Sequence, residues 1–433
     1  MALTGQRTFV GFGFGAIQAG LFLYEAFHSG EFARLVVGEV VPDVVDTLRR
    51  NAGCYAVNIA YLDRAEVARV GPVQIESPAA AHDITRLVDA VAEAEEISTA
   101  VPSVRFYTGP EPGSIHRILA QGLRRKAAVG GPRAVVYAAE NHNHASEILE
   151  AAVFDEIPAD EKAPVRERVR FLNTVIGKMS GVITDEGEAQ AQHLATVTRD
   201  SSRVFLVEAF NRILISQVNF PPMDGEPGFQ RGITTFVEKE DLLPFEEAKL
   251  YGHNATHALA AYLGSLRGLG RIADLRQSPD LLGFIRDAFL KESGEALIRK
   301  HAGRDHLFTH GGYREYALDL LERMTNPHLL DTVERVGRDP HRKLGWDDRL
   351  VGTMRVALEQ GVVPRRYAAG AVAALAKLEP AFLTTGTSPR ALLAPLWGNE
   401  AMKTKDAEDV LRLIGDAKPR VKRWCDSGFH NLL

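Results

Sequence analysis

A doubly wound α/β sheet domain followed by an all-helical domain is the fold the sequence predicts, on three observations. Residues 7–27 read strand, glycine turn, helix; a second strand ends in an acid at Glu39; and near Leu242 the strand-like runs stop and the remainder is helical in pattern. Strands alternating with helical segments imply a parallel sheet covered on both faces, and a later run of helices alone implies a separate layer. The expected division is residues 1–241 for the sheet domain and 242–433 for the helical one.

Thr8-Phe9-Val10-Gly11-Phe12 is a short apolar run, and Gly13-Phe14-Gly15-Ala16-Ile17-Gln18-Ala19-Gly20 follows before a helical segment. In a Rossmann-type domain the first glycine permits the tight turn and the second lets the backbone approach a pyrophosphate held by N–H groups at the helix start. The usual third glycine is Gln18 here, with Gly20 two places later. Leu35-Val36-Val37-Gly38-Glu39 reads as the next parallel strand. Its terminal acid stands about twenty residues on, where a carboxylate accepts from an adenosine ribose and repels a 2′-phosphate, favouring NAD over NADP. The alternative is an ordinary carboxylate at a strand end.

Residues 42–51 look helical. Tyr55–Ala60 and Val73-Gln-Ile-Glu76 suggest a hairpin or small antiparallel pair, and residues 83–95 a helix with its stripe on Ile84, Leu87, Val88 and Val91. Glu96-Ile-Ser-Thr99-Ala100-Val101 is a buried strand whose small-residue end faces a cofactor in such a sheet. Residues 114–122 are a helix candidate, and Ala134–Ala139 is a clear strand leading into Glu140-Asn141-His142-Asn143-His144. Polar groups in that position suit a ligand crevice. The two histidines, at i and i+2 on an emerging loop, point apart and are not expected to hold a metal. Strand regions follow near 171–183, 204–210 and 233–238. Helices are expected at 245–263, 281–302, 312–324, 327–336, 346–360, 366–378, 390–396 and 407–414.

With 433 residues, 45% hydrophobic and 25% charged, the chain has the composition of a soluble globular protein too long for one core. A net charge of −5 gives no footprint for nucleic acid, and clusters such as Arg124-Arg125-Lys126 and Arg365-Arg366 are expected on solvated faces. Cys54 and Cys425 fit a reducing compartment and exclude a cysteine-based zinc cluster. No apolar run reaches the length of a membrane span and the first residues lack the pattern of a signal peptide, so a cytoplasmic location is expected.

The segment Lys249-Leu-Tyr-Gly-His-Asn254-Ala-Thr-His257 heads an apolar, Ala-rich helix. Asn254 and His257, three apart, share a helical face. Lys249 is eight residues before His257, and eight steps of 100° leave it about 80° away, within reach of a long side chain. A lysine in a closed site loses its proton readily and can serve as a base near neutral pH, while an amide beside it can donate to a developing oxyanion. A surface lysine, a capping asparagine and a satisfied core histidine are the plain alternative. A cofactor on the sheet and a lysine at the head of the helical domain are expected to face one another across a cleft.

These blocks resemble the polyol-specific long-chain dehydrogenases, the family of mannitol-1-phosphate 5-dehydrogenase, mannitol 2-dehydrogenase and the hexuronate reductases. The resemblance runs over most of the chain. It is carried by the Lys-x4-Asn-x2-His pattern at Lys249, Asn254 and His257, by Ala261-Tyr-Leu-Gly264, by Gly13-Phe-Gly-Ala-Ile17, by Ala139-Glu140-Asn141, and by the long segment from Arg323 to Leu344. It implies NAD over Gly13, Phe14, Gly15, Ala16, Ile17 and Gln18, with Glu39 and the Thr99-Ala100-Val101 strand end alongside. It also implies metal-independent hydride transfer with Lys249 as general base, Asn254 and Asn141 on the alkoxide, and His257 on substrate hydroxyls. Glu246 stands where mannitol 2-dehydrogenases carry an acid that relays protons, a rim salt bridge being the other reading. Gly177-Lys178 replaces the family's Asp-Arg pair, which puts the substrate in question rather than the reaction.

A phosphorylated polyol needs convergent cations. Arg338, Arg342 and Lys343, with Arg335, are the candidates, and pairing with Asp331, Asp339, Asp347 and Asp348 is their alternative role. The expected partner is a small polyol or polyol phosphate, of the mannitol-1-phosphate type by the cofactor loop, with no nucleic acid and no membrane, in a monomer or dimer. Free polyol or hexuronate oxidation, a non-catalytic NAD-binding homologue, and a decarboxylating dehydrogenase of similar architecture are the other readings.

Overall fold

The structure, a computed structural model, describes residues 6–222, 228–430 and 432. It divides into two compact units, Met1–Leu243 and Pro244–Leu433.

In the first unit the strands are β1 (Arg7–Phe12), β2 (Phe32–Gly38), β3 (Tyr55–Ala60), β4 (Ala65–Val70), β5 (Gln74–Glu76), β6 (Glu96–Thr99), β7 (Ala134–Ala138), β8 (Val169–Val175), β9 (Ser180–Ile183), β10 (Val204–Glu208), β11 (Leu214–Ser216) and β12 (Val237–Lys239). Eight form one sheet in the order β12-β11-β8-β7-β6-β1-β2-β5, and four form a second, β4-β3-β10-β9. The run from β5 through β8 is parallel, and β11 joins β8 antiparallel. The chain winds outward from β1 to β2 and β5, then returns to lay β6 on the other side of β1. That reversal is the switch point at which doubly wound sheets open a ligand crevice.

Helix α1 (Leu23–Ser29), entered through a π turn at Gln18–Phe22, explains the glycine spacing. Ala19, Leu21, Phe22, Leu23 and Ala26 are all fully buried, as a helix covered on every side must be. One side packs on the large sheet, where Phe22 stacks on Tyr137 at 5.9 Å. The other meets the small sheet so closely that a Cβ on Gly20 would lie 2.5 Å from a Val207 methyl. Gly20 therefore serves the second sheet, and the room a third loop glycine would leave over β1 is found at Gly11. The opposite face of the large sheet is covered by α3 (Ala81–Glu93), α4 (Ile115–Ala128) and α5 (Ala145–Asp155), through Leu87, Val91, Leu119, Leu123, Leu149 and Val153; α2 (Pro42–Arg50) follows Glu39.

Several local expectations change. The Tyr55–Ala60 strand pairs with Ala65–Val70 across a turn closed by Tyr61 N–H to Arg64 C=O at 2.8 Å, because the nearest partner closes the shortest loop. Gln74–Glu76 goes instead to the edge of the large sheet beside β2. The region near 171–183 is two strands on different sheets, β8 and β9, parted at Gly177-Lys178. Lys178 is buried there, its ammonium donating to the carbonyls of Glu208 and Phe210. Residues 232–236 make no strand, since the Glu96 carboxylate takes the Gly232 and Ile233 N–H groups and Arg231 takes the Ile233 and Phe236 carbonyls. Lys126, expected on a solvated face, is fully buried, its ammonium donating to Ala92 C=O at 3.0 Å and Ala94 C=O at 2.6 Å beyond the end of α3. Cys54 and Cys425 are free thiols.

After the short α6 (Lys162–Arg168) and α7 (Glu186–Ala191), the second unit is helical: α8 (Leu243–Glu247), α9 (Ala255–Leu266), α10 (Pro279–Ala288), α11 (Glu295–Lys300), α12 (His310–Met324), α13 (Val333–Val336), α14 (Pro340–Lys343), α15 (Val351–Glu359), α16 (Arg365–Leu378), α17 (Pro389–Met402) and α18 (Lys405–Asp426). The expected helix at 327–336 is a 3₁₀ turn and the short α13, and that at 346–360 begins at Val351. The last two run longer than expected, from 389 to 402 and from 405 to 426. Helix α9 is the core element: from Ala255 to Gly264 every residue but His257 is buried. Small residues let α16 close on it, so that a Cβ on Gly370 would stand 2.5 Å from Leu259 Cδ1.

Candidate active site

Gly13, at the turn after β1, has φ +84°, and a Cβ there would lie 2.8 Å from the Ala100 carbonyl. Glycine is thus required both by conformation and by the neighbouring end of β6. Nothing lies within 4 Å of where a Cβ on Gly15 would stand, so the loop backbone is open at the second glycine. The first N–H groups of the helix that follows have no acceptor within it and are available to an anion.

Glu39 is buried at the end of β2, and its two carboxylate oxygens accept from Phe14 N–H at 2.6 Å and Val41 N–H at 2.8 Å. One side chain therefore ties the glycine loop to the start of α2. Lone pairs remain on both oxygens for the two hydroxyls of a ribose. Gln18, fully buried, lies over Gly11, and its side-chain oxygen accepts from Ser98 Oγ at 3.0 Å. A dinucleotide fits these groups: a positive-φ glycine, an uncovered second glycine, a helix start, and an acid at the next strand end.

Glu140 does more than the sequence suggested. Buried after β7, its carboxylate accepts from Thr99 Oγ1 and Val101 N–H, each at 2.9 Å, and from the Tyr107 hydroxyl. Burial raises its proton affinity and these donors oppose the rise. It fixes the Thr99-Ala100-Val101 strand end that flanks the loop. Asn141 follows on an exposed turn. His142 Nδ1 accepts from His144 N–H at 3.1 Å, and among the described residues no group of three or more His, Cys, Asp or Glu gathers as a metal site.

In the second unit Lys249 lies in a π turn, Ala248–Asn254, between α8 and α9. A π turn holds more residues than an α turn, so each advances less than 100°. The 80° offset expected for a regular helix shrinks, and Lys249 swings toward the azimuth of His257. Tertiary contacts hold the turn. A Cβ on Gly252 would lie 2.6 Å from the Tyr313 hydroxyl, and Thr353 Oγ1 donates toward Tyr251 C=O at 3.2 Å. Lys249 is mostly buried, and desolvation, with Arg349 second, brings its pKa down to about 8, against an opposing pull from Glu246. Glu246 belongs to the turn before it, while Glu247 is committed to Lys300 and His301 at 2.8 and 2.7 Å.

Asn254 is half-buried at the end of the π turn. His257 Nε2 stands 3.4 Å from Asp331 Oδ2. Burial lowers the proton affinity of His257, with Asp331 opposing and Arg335, Arg349 and Lys343 adding to it, which keeps the imidazole neutral at pH 7. Asp331 itself is held by Arg335, whose Nε donates at 2.8 Å.

The expected phosphate candidates separate. Arg338 and Arg342 are exposed, and Arg342 pairs with Asp339 at 3.5 Å. Lys343 is buried, donates to the Arg338 carbonyl, and has a pKa lowered by burial to about 8. Arg349, which sequence reasoning passed over, joins the group. Its charge lowers the proton affinity of Lys249, His253, His257 and Lys343 alike. The signal in the sequence was its place alone, a cation directly before the apolar run that forms α15.

Comparison with known proteins agrees with this layout. Residues 7–226 match the mannitol dehydrogenase Rossmann domain and residues 241–379 the mannitol dehydrogenase C-terminal domain. A mannitol-1-phosphate 5-dehydrogenase of Bacillus licheniformis is 31% identical over 344 residues, 78% of this chain and 80% of that protein. A second, from Pseudarthrobacter chlorophenolicus, is 31% identical over 297 residues, 68% of this chain and 67% of that protein. The fold is similar to a substrate-free D-sorbitol dehydrogenase, with TM-score 0.75, 14% identity, and coverage of 98% of this chain and 94% of that one. It is also similar to Pseudomonas fluorescens mannitol 2-dehydrogenase solved with NAD and D-mannitol, with TM-score 0.68, 16% identity, and coverage of 97% and 94%. With both domain matches over most of its length, the chain belongs to the mannitol dehydrogenase family.

Proposed function

We propose that this protein is an NAD-dependent, metal-independent dehydrogenase that interconverts a sugar-alcohol phosphate and the corresponding ketose phosphate, with Lys249 as general base. The observation that carries the reading is Lys249 itself: mostly buried in a π turn, with a pKa brought to about 8, on the helix that presents Asn254 and His257. Both curated relatives at 31% identity are mannitol-1-phosphate 5-dehydrogenases, which favours the phosphorylated substrate over a free polyol or hexuronate.

Gly13 to Gln18 and the Thr99–Val101 strand end would hold the dinucleotide, with Glu39 on a ribose. When bound, NAD supplies the hydride acceptor. Neutral Lys249 takes the proton of the substrate hydroxyl as the carbon beneath it is oxidised to a ketone. The Asn254 amide donates to the oxygen while it carries negative charge, and Asn141 is the second amide to which the family resemblance gives that role. His257, neutral, exchanges hydrogen bonds with an adjacent hydroxyl, and Glu246 raises the basicity of Lys249. The lysine and the amides provide the base and the electrophile that a metal centre provides in other dehydrogenases.

We place the protein in the cytoplasm, as a monomer or dimer that engages no nucleic acid; among the described residues no helix is long and apolar enough to cross a membrane. The test is NADH absorbance on a panel of hexitol phosphates, hexitols, pentitols and hexuronates, with NADP in parallel. Turnover with mannitol 1-phosphate and loss of turnover in Lys249→Ala with NAD still bound are expected. NAD binding without turnover anywhere on the panel would return the non-catalytic reading.

A further inference from the structure

We infer that Arg349 is the anchor for the phosphate of the substrate, with Lys343 and the Tyr262 hydroxyl completing the seat. This rests on the dehydrogenase reading above and names the group that selects the substrate.

The Arg349 side chain is 12% exposed, and among the described residues its Nε, fully screened from solvent, has no hydrogen-bond acceptor. The nearest carboxylate oxygen, Asp348 Oδ1 at 3.2 Å, lies outside hydrogen-bonding geometry and already accepts the Arg349 backbone N–H at 2.7 Å. A guanidinium brings five donors in a fixed fork, and leaving the Nε donor unmade where water cannot reach it is costly. The Nε groups of Arg355 and Arg366 are likewise unmet, but those side chains hold Asp347 and Glu292 through their terminal nitrogens, whereas among the described residues the carboxylate set against Arg349 is that of its own neighbour Asp348.

Its neighbours share the condition. Tyr262 is fully buried and its hydroxyl, like His257 Nε2, has no hydrogen-bond partner among the described residues. The Lys343 ammonium stands 5.9 Å from the centre of the Tyr262 ring. Lys343 and Arg349 are joined through backbone, the Leu350 N–H donating to Lys343 C=O at 3.2 Å. Arg349 is tied in turn to the π turn that bears Lys249, since the Thr353 hydroxyl lies 2.6 Å from Arg349 C=O and 3.2 Å from Tyr251 C=O. Two cations, a phenol donor and a base-bearing turn thus meet on one set of elements. Burial first, and for the two lysines the Arg349 charge second, makes Lys249, Lys343 and Arg349 hold their protons less tightly than in water, while Asp339 and Asp348 oppose this at Lys343 and Arg349.

A neutral hydroxyl could satisfy one of these donors but none of the charge. A phosphate monoester dianion satisfies both, accepting from the guanidinium fork and the phenol while neutralising Arg349 and Lys343. Arg335 is committed to Asp331, and Arg338 and Arg342 are exposed, so the selection falls on Arg349 and Lys343.

The experiment compares wild type, Arg349→Gln, Arg349→Lys and Tyr262→Phe. It measures kcat/KM with NAD for D-mannitol 1-phosphate and D-mannitol, and inorganic phosphate binding by calorimetry on the same proteins. The ratio of kcat/KM for the phosphate over the free hexitol should fall about 100-fold in Arg349→Gln, as for one lost charge-assisted bidentate contact. It should fall less in Arg349→Lys and several-fold in Tyr262→Phe. Calorimetric binding of phosphate should weaken in the same order. An unchanged ratio, or phosphate bound equally by wild type and Arg349→Gln, overturns the assignment. Should the wild type oxidise neither polyol, the dehydrogenase reading fails, and the calorimetric comparison still decides Arg349. Misfolding of Arg349→Gln is recognised by circular dichroism, and the decision then passes to Arg349→Lys and Tyr262→Phe.

Discussion

Gln18 crosses the first strand at Gly11: a Cβ on Gly11 would stand 2.0 Å from Gln18 Nε2. The two positions are complementary, the strand residue giving up its side chain to make room for the amide. Gly11→Ala should therefore destabilise the protein by about 1–3 kcal/mol through overpacking. Gly11→Ala with Gln18→Ala should recover most of that loss. Chemical denaturation of both singles and the double measures the coupling; additive losses would show that the two residues do not compete for the same space.

Lys249 gives the reaction its pH dependence. With a folded pKa of about 8 against an ordinary 10.5, the base is mostly protonated at pH 7 and mostly free at pH 9. kcat/KM for polyol oxidation should rise with pH through a limb near 8, and reduction of the ketose should show the opposite limb. Lys249→Ala should lower kcat by about 10²- to 10⁴-fold, the range for removing a general base, and leave NAD binding by fluorescence intact. The same depression bears on stability. Between pH 8 and 10.5 the folded chain binds fewer protons than the unfolded one, so stability rises with pH across that window and is lowest below it. Lys249→Met should flatten this rise in pH-dependent denaturation.

His257 lies beside an acid already claimed by another cation. Arg335 holds Asp331, and its positive charge also bears on the imidazole. In Arg335→Gln the carboxylate faces His257 with less competition, and the imidazole pKa should move up. Histidine side-chain NMR of the two proteins reads this directly; a downward or absent shift would mean that the Arg335 charge does not reach His257.

Arg349 should carry a stability penalty in the free protein. Replacing a buried, hydrogen-bond-poor charge by an apolar side chain of similar length is often stabilising by about 1–4 kcal/mol. Arg349→Met should therefore denature at higher temperature than wild type in phosphate-free buffer, an advantage that shrinks or reverses as phosphate is added. A lower melting temperature without phosphate would show that Arg349 is satisfied within the fold.

The parts legible in the sequence are those set by short-range rules. Gly13, Gly15 and Glu39 could be placed because a positive-φ turn, a helix start and a strand end leave local marks. The Lys249–Asn254–His257 spacing was readable as one face, but not the π turn, which exists because Tyr313 and Thr353 press on Gly252 and Tyr251 from elsewhere in the chain. Partner choice was equally hidden. Val73–Glu76 alternates as a hairpin strand should, yet joins β2, and Lys126 sits in a basic run while capping carbonyls inside the core. Arg349 was passed over because the candidate cations ended at Lys343, and Asp347 and Asp348 read as partners for the cations before them. Asp347 pairs with Arg355 instead, and Asp348 Oδ1 takes the Arg349 backbone N–H while standing 3.2 Å from its Nε.

Glu39 holds two backbone N–H groups, Phe14 at 2.6 Å and Val41 at 2.8 Å, and this fixes what its replacement must do. In Glu39→Gln one acceptor oxygen survives, while the amide NH₂ is turned toward one of those two donors. A donor facing a donor in a buried place costs about 1–3 kcal/mol, so the variant should denature earlier than wild type. The loss of charge acts on the cofactor separately. Hydrogen bonds from ribose hydroxyls to a carboxylate are roughly twice as strong as to an amide, so NAD affinity should fall by about tenfold. The repulsion that a carboxylate exerts on a 2′-phosphate disappears, so NADP should lose less affinity than NAD or gain some. Fluorescence titration of both dinucleotides against wild type and Glu39→Gln decides the point: the NAD-to-NADP preference should narrow. A preference left unchanged would mean that Glu39 works on the glycine loop alone and that discrimination lies elsewhere.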